Sequence, residues 1–206
     1  KEPPPDILKK IKSIENASDK PDYITIDFVK GIPVAINNRK LSPLQIMLKL
    51  NSYGAKHGIG LVDMVENRLV GIKSRGVYET PGGTILYFAH NALEEITLDR
   101  ETLHYKQQVA LKFAELIYYG MWYSPLREAL TAFIDKTQET VTGRVKLKLL
   151  KGNIFCASKT SDFSLYSEKL ATFEKEEIYS QKDAEGFINL FGLQIKIFNQ
   201  IKKGKK

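Results

Sequence analysis

Two hydrophobic periods alternate along this chain, and their order restricts the fold more than any single motif does. Apolar residues recur at every second position in Tyr23-Ile24-Thr25-Ile26-Asp27-Phe28-Val29 and again from Arg144 to Leu149. Between those stretches they recur at every third or fourth position. A period of two belongs to a strand with one buried face, and a period of 3.6 to a helix with one buried stripe. The expected class is α+β: antiparallel strands flank a helical middle, and a long C-terminal helix follows.

Turn and cap residues sharpen this reading. Lys30-Gly31 turns the first strand into Ile32 to Ile36, and Asn37-Asn38 offers a second turn. Ser42-Pro43 starts a helix whose stripe is Leu44, Met47, Leu48 and Tyr53. Thr80-Pro81 starts another, with Ile85, Leu86, Phe88, Ala89, Ala92 and Leu93 as its apolar side. Asp99 to Tyr119 reads as a helix carrying Leu103, Ala110, Phe113, Ala114 and Ile117. Ser124-Pro125 caps one carrying Leu126, Ala129, Leu130, Phe133, Ile134 and Thr137. Lys151-Gly152-Asn153 is a hairpin turn, and Ile154 to Ala157 is the returning strand, where Cys156 is expected to pack rather than react.

The last helix, residues 183–203, is apolar over an unusually wide arc. Phe187, Phe191, Ile195 and Phe198 form one stripe, and Leu190, Leu193, Ile197 and Ile201 a second. Two stripes call for two surfaces to bury them, so the helix is expected to contact other subunits. The opening Lys1-Glu2-Pro3-Pro4-Pro5 reads as linker from a longer polypeptide, with one short helical turn. The expected organisation is a linker remnant over residues 1–21, a domain over 22–182, and an oligomerisation helix with a basic tail over 183–206.

Charge excludes less than it first suggests. The chain of 206 residues carries a net charge of +7, which invites a nucleic-acid reading. Four of those charges sit on Lys202, Lys203, Lys205 and Lys206, and two more are the surplus of residues 1–12. Residues 13–201 are thus near neutral, and no nucleic-acid partner is expected. No run of 18 apolar residues exists, so no membrane-spanning helix is expected. A lone cysteine and three histidines leave no evident metal site and point to a reducing, intracellular compartment. No Gly-x-Ser-x-Gly, no Gly-x-x-x-x-Gly-Lys-Ser/Thr phosphate loop and no dinucleotide glycine fingerprint occurs.

The candidate site lies in residues 54–83, where seven of the fourteen glycines fall among interleaved charges. Glu66 is a carboxylate between glycine-rich turns, and Tyr78 supplies a hydroxyl twelve residues later. Together they suit an ammonium group, held by charge-assisted hydrogen bonds. Arg68, Lys73 and Arg75 suit a carboxylate or phosphate. The residues alone imply a polar site for a small zwitterionic or anionic ligand.

Whole blocks of this sequence resemble the argininosuccinate synthase family. They are Lys56-His57-Gly58-Ile59-Gly60, Val65-Glu66-Asn67-Arg68, the unbroken run from Lys73 to Thr84, Lys112-Phe113-Ala114-Glu115-Leu116, the run from Asp135 to Gly143, and Asp183-Ala184-Glu185-Gly186-Phe187-Ile188. The resemblance covers about residues 21–200, the synthetase or multimerisation domain of that family. It implies an ATP-dependent carbon–nitrogen ligase that joins citrulline to aspartate, giving argininosuccinate, AMP and pyrophosphate in arginine biosynthesis. It also implies a cytoplasmic homotetramer, and a separate N-terminal domain that holds most of the ATP, magnesium and aspartate contacts. The family's two citrulline contacts in this half fall on Glu66 and Tyr78, as binding rather than catalytic residues. Without its N-terminal partner the domain is expected to be inactive. A non-catalytic scaffold of the same fold is the alternative, and a basic nucleic-acid module a more remote one.

Overall fold

Three two-residue turns organise the larger sheet. Lys30-Gly31, Asn37-Asn38 and Lys151-Gly152 all have positive φ at both positions: 49° and 76°, 51° and 63°, 41° and 75°. That is the type I′ geometry whose twist matches antiparallel strands. The turns join β1 (Asp22–Val29) to β2 (Ile32–Ile36), β2 to β3 (Arg39–Lys40), and β6 (Gly143–Leu150) to β7 (Asn153–Thr160). The sheet order is β3-β2-β1-β6-β7, antiparallel throughout, with β1 pairing β6 across the whole helical middle. The structure is a computed structural model that describes residues 2–167 and 181–204.

The period of two puts Ile24, Ile26 and Phe28 of β1 and Val145, Leu147 and Leu149 of β6 on one buried face. Two helices cover that face, α1 (Pro43–Lys56) and α2 (Pro81–Thr97). They add Ile46, Leu50, Ile85, Ala89, Leu93 and Ile96 to one continuous core. Each large side chain so buried contributes about 1.5–3 kcal/mol. Ser42 caps α1 in a full capping box with Gln45, which fixes where the helix begins. Two further helices, α3 (Arg100–Tyr118) and α4 (Pro125–Thr137), pack on one another, with Tyr105 edge-on to Phe133 at 5.5 Å between ring centroids. Asp99 and Ser124 cap them.

Several expected packing faces are rotated. Leu44 and Leu48 of α1 are exposed, and Ile46, Leu50 and Gly54 are the buried residues. The cause lies at Gly54: a Cβ there would stand 2.6 Å from Pro81 Cβ, so this is where α2 crosses α1. On α3 the buried pair is Val109 and Leu116, while Ala114 and Ile117 lie outside. On α4 no residue is fully buried. Cys156 is exposed rather than packed, because β7 is an edge strand with a neighbour on one side only. Partial desolvation by its neighbours still raises its thiol pKa, and the thiolate form is disfavoured.

The stretch expected as linker is tied down in its second half. Ile11 and Ala17 are buried, Lys12 N–H donates to Ala55 O, and Ser18 N–H donates to Lys56 O. Nearby, the fully buried His57 places Nε2 at 2.8 Å from Asp22 Oδ2, and Lys56 Nζ lies 2.6 Å from the same oxygen. Burial pushes Asp22 up, but these two partners outweigh it and hold its carboxyl below the usual range.

The chain divides into two units, Lys1–Leu165 and Tyr166–Lys206. The second contains α5 (Gln181–Phe191) and α6 (Leu193–Lys203). Helical hydrogen bonding continues across the interruption: Gly192 N–H donates to Ile188 O and Lys196 N–H to Gly192 O, both at 3.0 Å. The pair therefore forms one long helical stretch, where a single helix over 183–203 is expected from the sequence. Phe187, Leu190, Phe191, Ile195 and Phe198 are all exposed on it. Residues 168–180, through which the expected 22–182 domain runs, and Lys205 and Lys206 of the tail lie outside the described residues. No helix among the described residues is long and apolar enough to cross a membrane.

Candidate ligand site on the two-stranded sheet

Between α1 and α2 the chain leaves the main sheet and builds a separate hairpin, β4 (Leu61–Asn67) with β5 (Lys73–Glu79). Its register pairs Val62 with Tyr78, Met64 with Gly76, and Glu66 with Ser74. Alternation then sorts the charged residues onto opposite faces. Glu66, Ser74, Gly76 and Tyr78 share one face; Asp63, Lys73 and Arg75 share the other.

On the first face the buried group is a carboxylate. Glu66 is 8% exposed, while most residues of β4 are exposed, including Met64 and Val65. Tyr78 Oη donates to Glu66 Oε1. This diagonal contact passes over Gly76, where a Cβ would lie 2.6 Å from Tyr78 Oη and 2.7 Å from Glu66 Oε1. Only glycine leaves room for it. Tyr118, the last residue of α3, donates its hydroxyl to Glu66 Oε2 at 3.3 Å. Arg68 Nε stands 3.6 Å from the same oxygen and donates to Ser74 Oγ at 2.8 Å.

Of the five residues singled out by the sequence, the fold brings Glu66, Tyr78 and Arg68 together. It turns Lys73 and Arg75 away. Arg75 makes a two-pronged ion pair with Asp63, which holds the Asp63 carboxyl below its usual range, and Lys73 Nζ donates to Asn67 Oδ1 at 2.7 Å. Alternation along β5 sets Lys73 and Arg75 apart from Tyr78, but only the register of the hairpin decides which of the two faces Glu66 shares. Sequence reasoning missed Tyr118, because no local pattern links it to a carboxylate 52 positions away.

The base of the hairpin is held by Glu79. Its carboxylate accepts three successive backbone N–H groups, from Lys9, Lys10 and Ile11, at 3.0, 2.8 and 2.7 Å. Burial raises the Glu79 pKa, and these three donors more than reverse it, so the group lies below its ordinary value.

Chemically, a buried carboxylate with two phenol donors and one nearby guanidinium is an acceptor for a cationic hydrogen-bond donor such as an ammonium. It is not a nucleophile site. Among the described residues no group of three His, Cys, Asp or Glu side chains is placed to hold a metal ion, and the sequence carries no Gly-x-x-x-x-Gly-Lys-Ser/Thr loop.

Fold and site together define an α+β domain that carries a buried carboxylate, Glu66, on a hairpin outside the main sheet. The sequence model described as the arginosuccinate synthase C-terminal domain matches residues 1–198. The chain belongs to that family. Argininosuccinate synthase of Carboxydothermus hydrogenoformans is 65% identical over 95% of this chain and 49% of the relative. That of Acetivibrio thermocellus is 60% identical over 97% of this chain and 49% of the relative. That of Clostridium perfringens is 62% identical over 91% of this chain and 46% of the relative. The chain spans about half the length of the curated relatives it matches.

Proposed function

We propose that this domain is the citrulline-holding and assembly half of an argininosuccinate synthase. The observation that carries the reading is the buried Glu66 carboxylate, met by Tyr78 across Gly76. In this reading Glu66 receives the α-ammonium of citrulline and Tyr78 orients the amino-acid head. The ureido oxygen then attacks the α-phosphorus of ATP, forming a citrullyl-adenylate and expelling pyrophosphate. The aspartate amine next displaces AMP. ATP, magnesium and aspartate are held mainly by a separate N-terminal domain, and the complete enzyme works in the cytoplasm as a homotetramer. Neither Glu66 nor Tyr78 transfers a proton in the bond-making steps. Their work is placement, which still governs rate through the geometry of attack.

Replacing Glu66 by Gln keeps the shape and removes the charge. In the complete synthase, Glu66→Gln is expected to raise the KM for citrulline about 10- to 100-fold, the scale of one charge-assisted hydrogen bond, with the KM for ATP nearly unchanged. Equal losses for both substrates would count against the assignment. For assembly, the exposed stripes of α5 and α6 support a subunit-contact role. Removing residues 184–206 is expected to dissociate the oligomer, as read by light scattering; an unchanged mass would refute that role.

A further inference from the structure

We propose that Tyr118 is a positioning residue for the ammonium-binding carboxylate, holding Glu66 open to its ligand and away from Arg68. The inference rests on the reading of Glu66 given under the proposed function, and it deepens that reading.

A two-stranded sheet without a third strand is marginally stable by itself. The base of β4 and β5 is fixed, by Thr80 N–H donating to Gly60 O at 2.8 Å and by the three donors on Glu79. Glu66 sits at the other end, next to the tip loop, paired with Ser74. Tyr78, Ser74 and Arg68 all belong to the hairpin. Tyr118 belongs to α3, so its hydroxyl ties the carboxylate to the body of the domain.

The tyrosine is half exposed, 52% of its surface facing solvent. Tyr118 ends a 19-residue helix and lies edge-on to Tyr119, with centroids 5.8 Å apart. Alongside runs a cleft of about 430 Å³ lined by Arg68, Leu69, Val70, Tyr118 and Tyr119, where the hairpin tip meets the helix end.

A carboxylate offers about four lone-pair directions. Tyr78 takes one on Oε1, and Tyr118 takes one on Oε2. Arg68 Nε, at 3.6 Å from Oε2, is close enough for attraction and too far for a full hydrogen bond. With the Tyr118 hydroxyl removed, Oε2 is free to close on the guanidinium. The cation that the ligand must supply would then face an internal competitor.

The test is steady-state kinetics of the complete synthase with Tyr118→Phe, which keeps the ring and deletes the hydroxyl. The KM for citrulline should rise about ten-fold, the scale of losing one hydrogen bond to a charged group, while kcat and the KM values for ATP and aspartate stay within two-fold, about the context spread of such values. The discriminating probe is 5-ureidopentanoate, which is citrulline without its α-amine. Its inhibition constant should be unchanged in Tyr118→Phe, because it has no ammonium for Glu66 to hold. Equal weakening of citrulline and the analogue would show a general structural role and overturn the proposal. No change in either would overturn it too, and so would the same pattern in Tyr119→Phe. Glu66→Gln measured in parallel separates the two levels. If it leaves the citrulline KM unchanged, the parent reading fails and this inference with it. If it raises the citrulline KM and Tyr118→Phe does not, Tyr118's role alone is refuted.

Discussion

The two sheets of this molecule use the same alternation for opposite ends. In the five-stranded sheet the inward positions of β1 and β6 are Ile24, Ile26, Phe28, Val145, Leu147 and Leu149, and helices α1 and α2 seal them from water. In the two-stranded sheet the apolar residues Leu61, Val62, Met64 and Val65 are exposed, and the buried residue of β4 is Glu66. One sheet spends its buried face on stability. The other uses it to hold a carboxylate in a fixed direction and is steadied by point contacts: Glu79 at its base, Gly76 within it and Tyr118 near its tip. Cores tolerate polar groups poorly and sites need them, so the site stands outside the core.

The contrast makes a graded set of expectations. Leu147→Ala, in the large sheet, should cost about 2–5 kcal/mol of stability through the cavity it leaves, as read by denaturant unfolding. A loss below about 1 kcal/mol would mean that this face is less tightly packed than its burial implies. Gly76→Ala, in the hairpin, should act on the ligand instead. The added methyl strikes the Glu66–Tyr78 contact, and citrulline binding in the complete enzyme should weaken about 10- to 100-fold with the thermal midpoint little changed. A full collapse of stability would erase the distinction between the two sheets.

Glu79→Gln tests the base of the hairpin and should lower the thermal midpoint by about 2–4 °C at pH 7. The sign of its pH dependence follows from the lowered pKa. A depressed carboxyl stabilises the fold above its unfolded value, near the ordinary 4.5, and that contribution is lost as pH falls through the folded value. The difference between wild type and Glu79→Gln should therefore be full at neutral pH and vanish in acid; a difference that grows in acid would contradict the latch. Smallest of all, Cys156→Ser on the exposed edge of β7 should change stability by less than about 0.5 kcal/mol, and the wild-type thiol should alkylate slowly at neutral pH because partial desolvation raises its pKa.

Local chemistry made much of this legible from sequence. The three turns were visible in Lys30-Gly31, Asn37-Asn38 and Lys151-Gly152, and the helix starts in Ser42-Pro43 and Ser124-Pro125, because those residues act on their own neighbours. The pairing of Glu66 with Tyr78 was legible as composition and spacing. Rotations of helices were not. Leu44 and Leu48 satisfy helical spacing as well as Ile46 and Leu50 do, and the choice between them was made by Pro81 closing on Gly54, 27 positions away in sequence. The same holds for Val109 and Leu116 on α3.

What the amino-acid order determined alone was therefore the class of fold, its turns and caps, and the residue types of the site. These depend on interactions within a few positions, where the backbone leaves little freedom. Tertiary structure alone decided three things: which helix faces are inside, that Lys73 and Arg75 point away from Glu66 while Arg68 stays near it, and that Tyr118 reaches the carboxylate. Each of these is set by contact between distant segments, and the free energy of such contacts is defined only once the chain has closed upon itself.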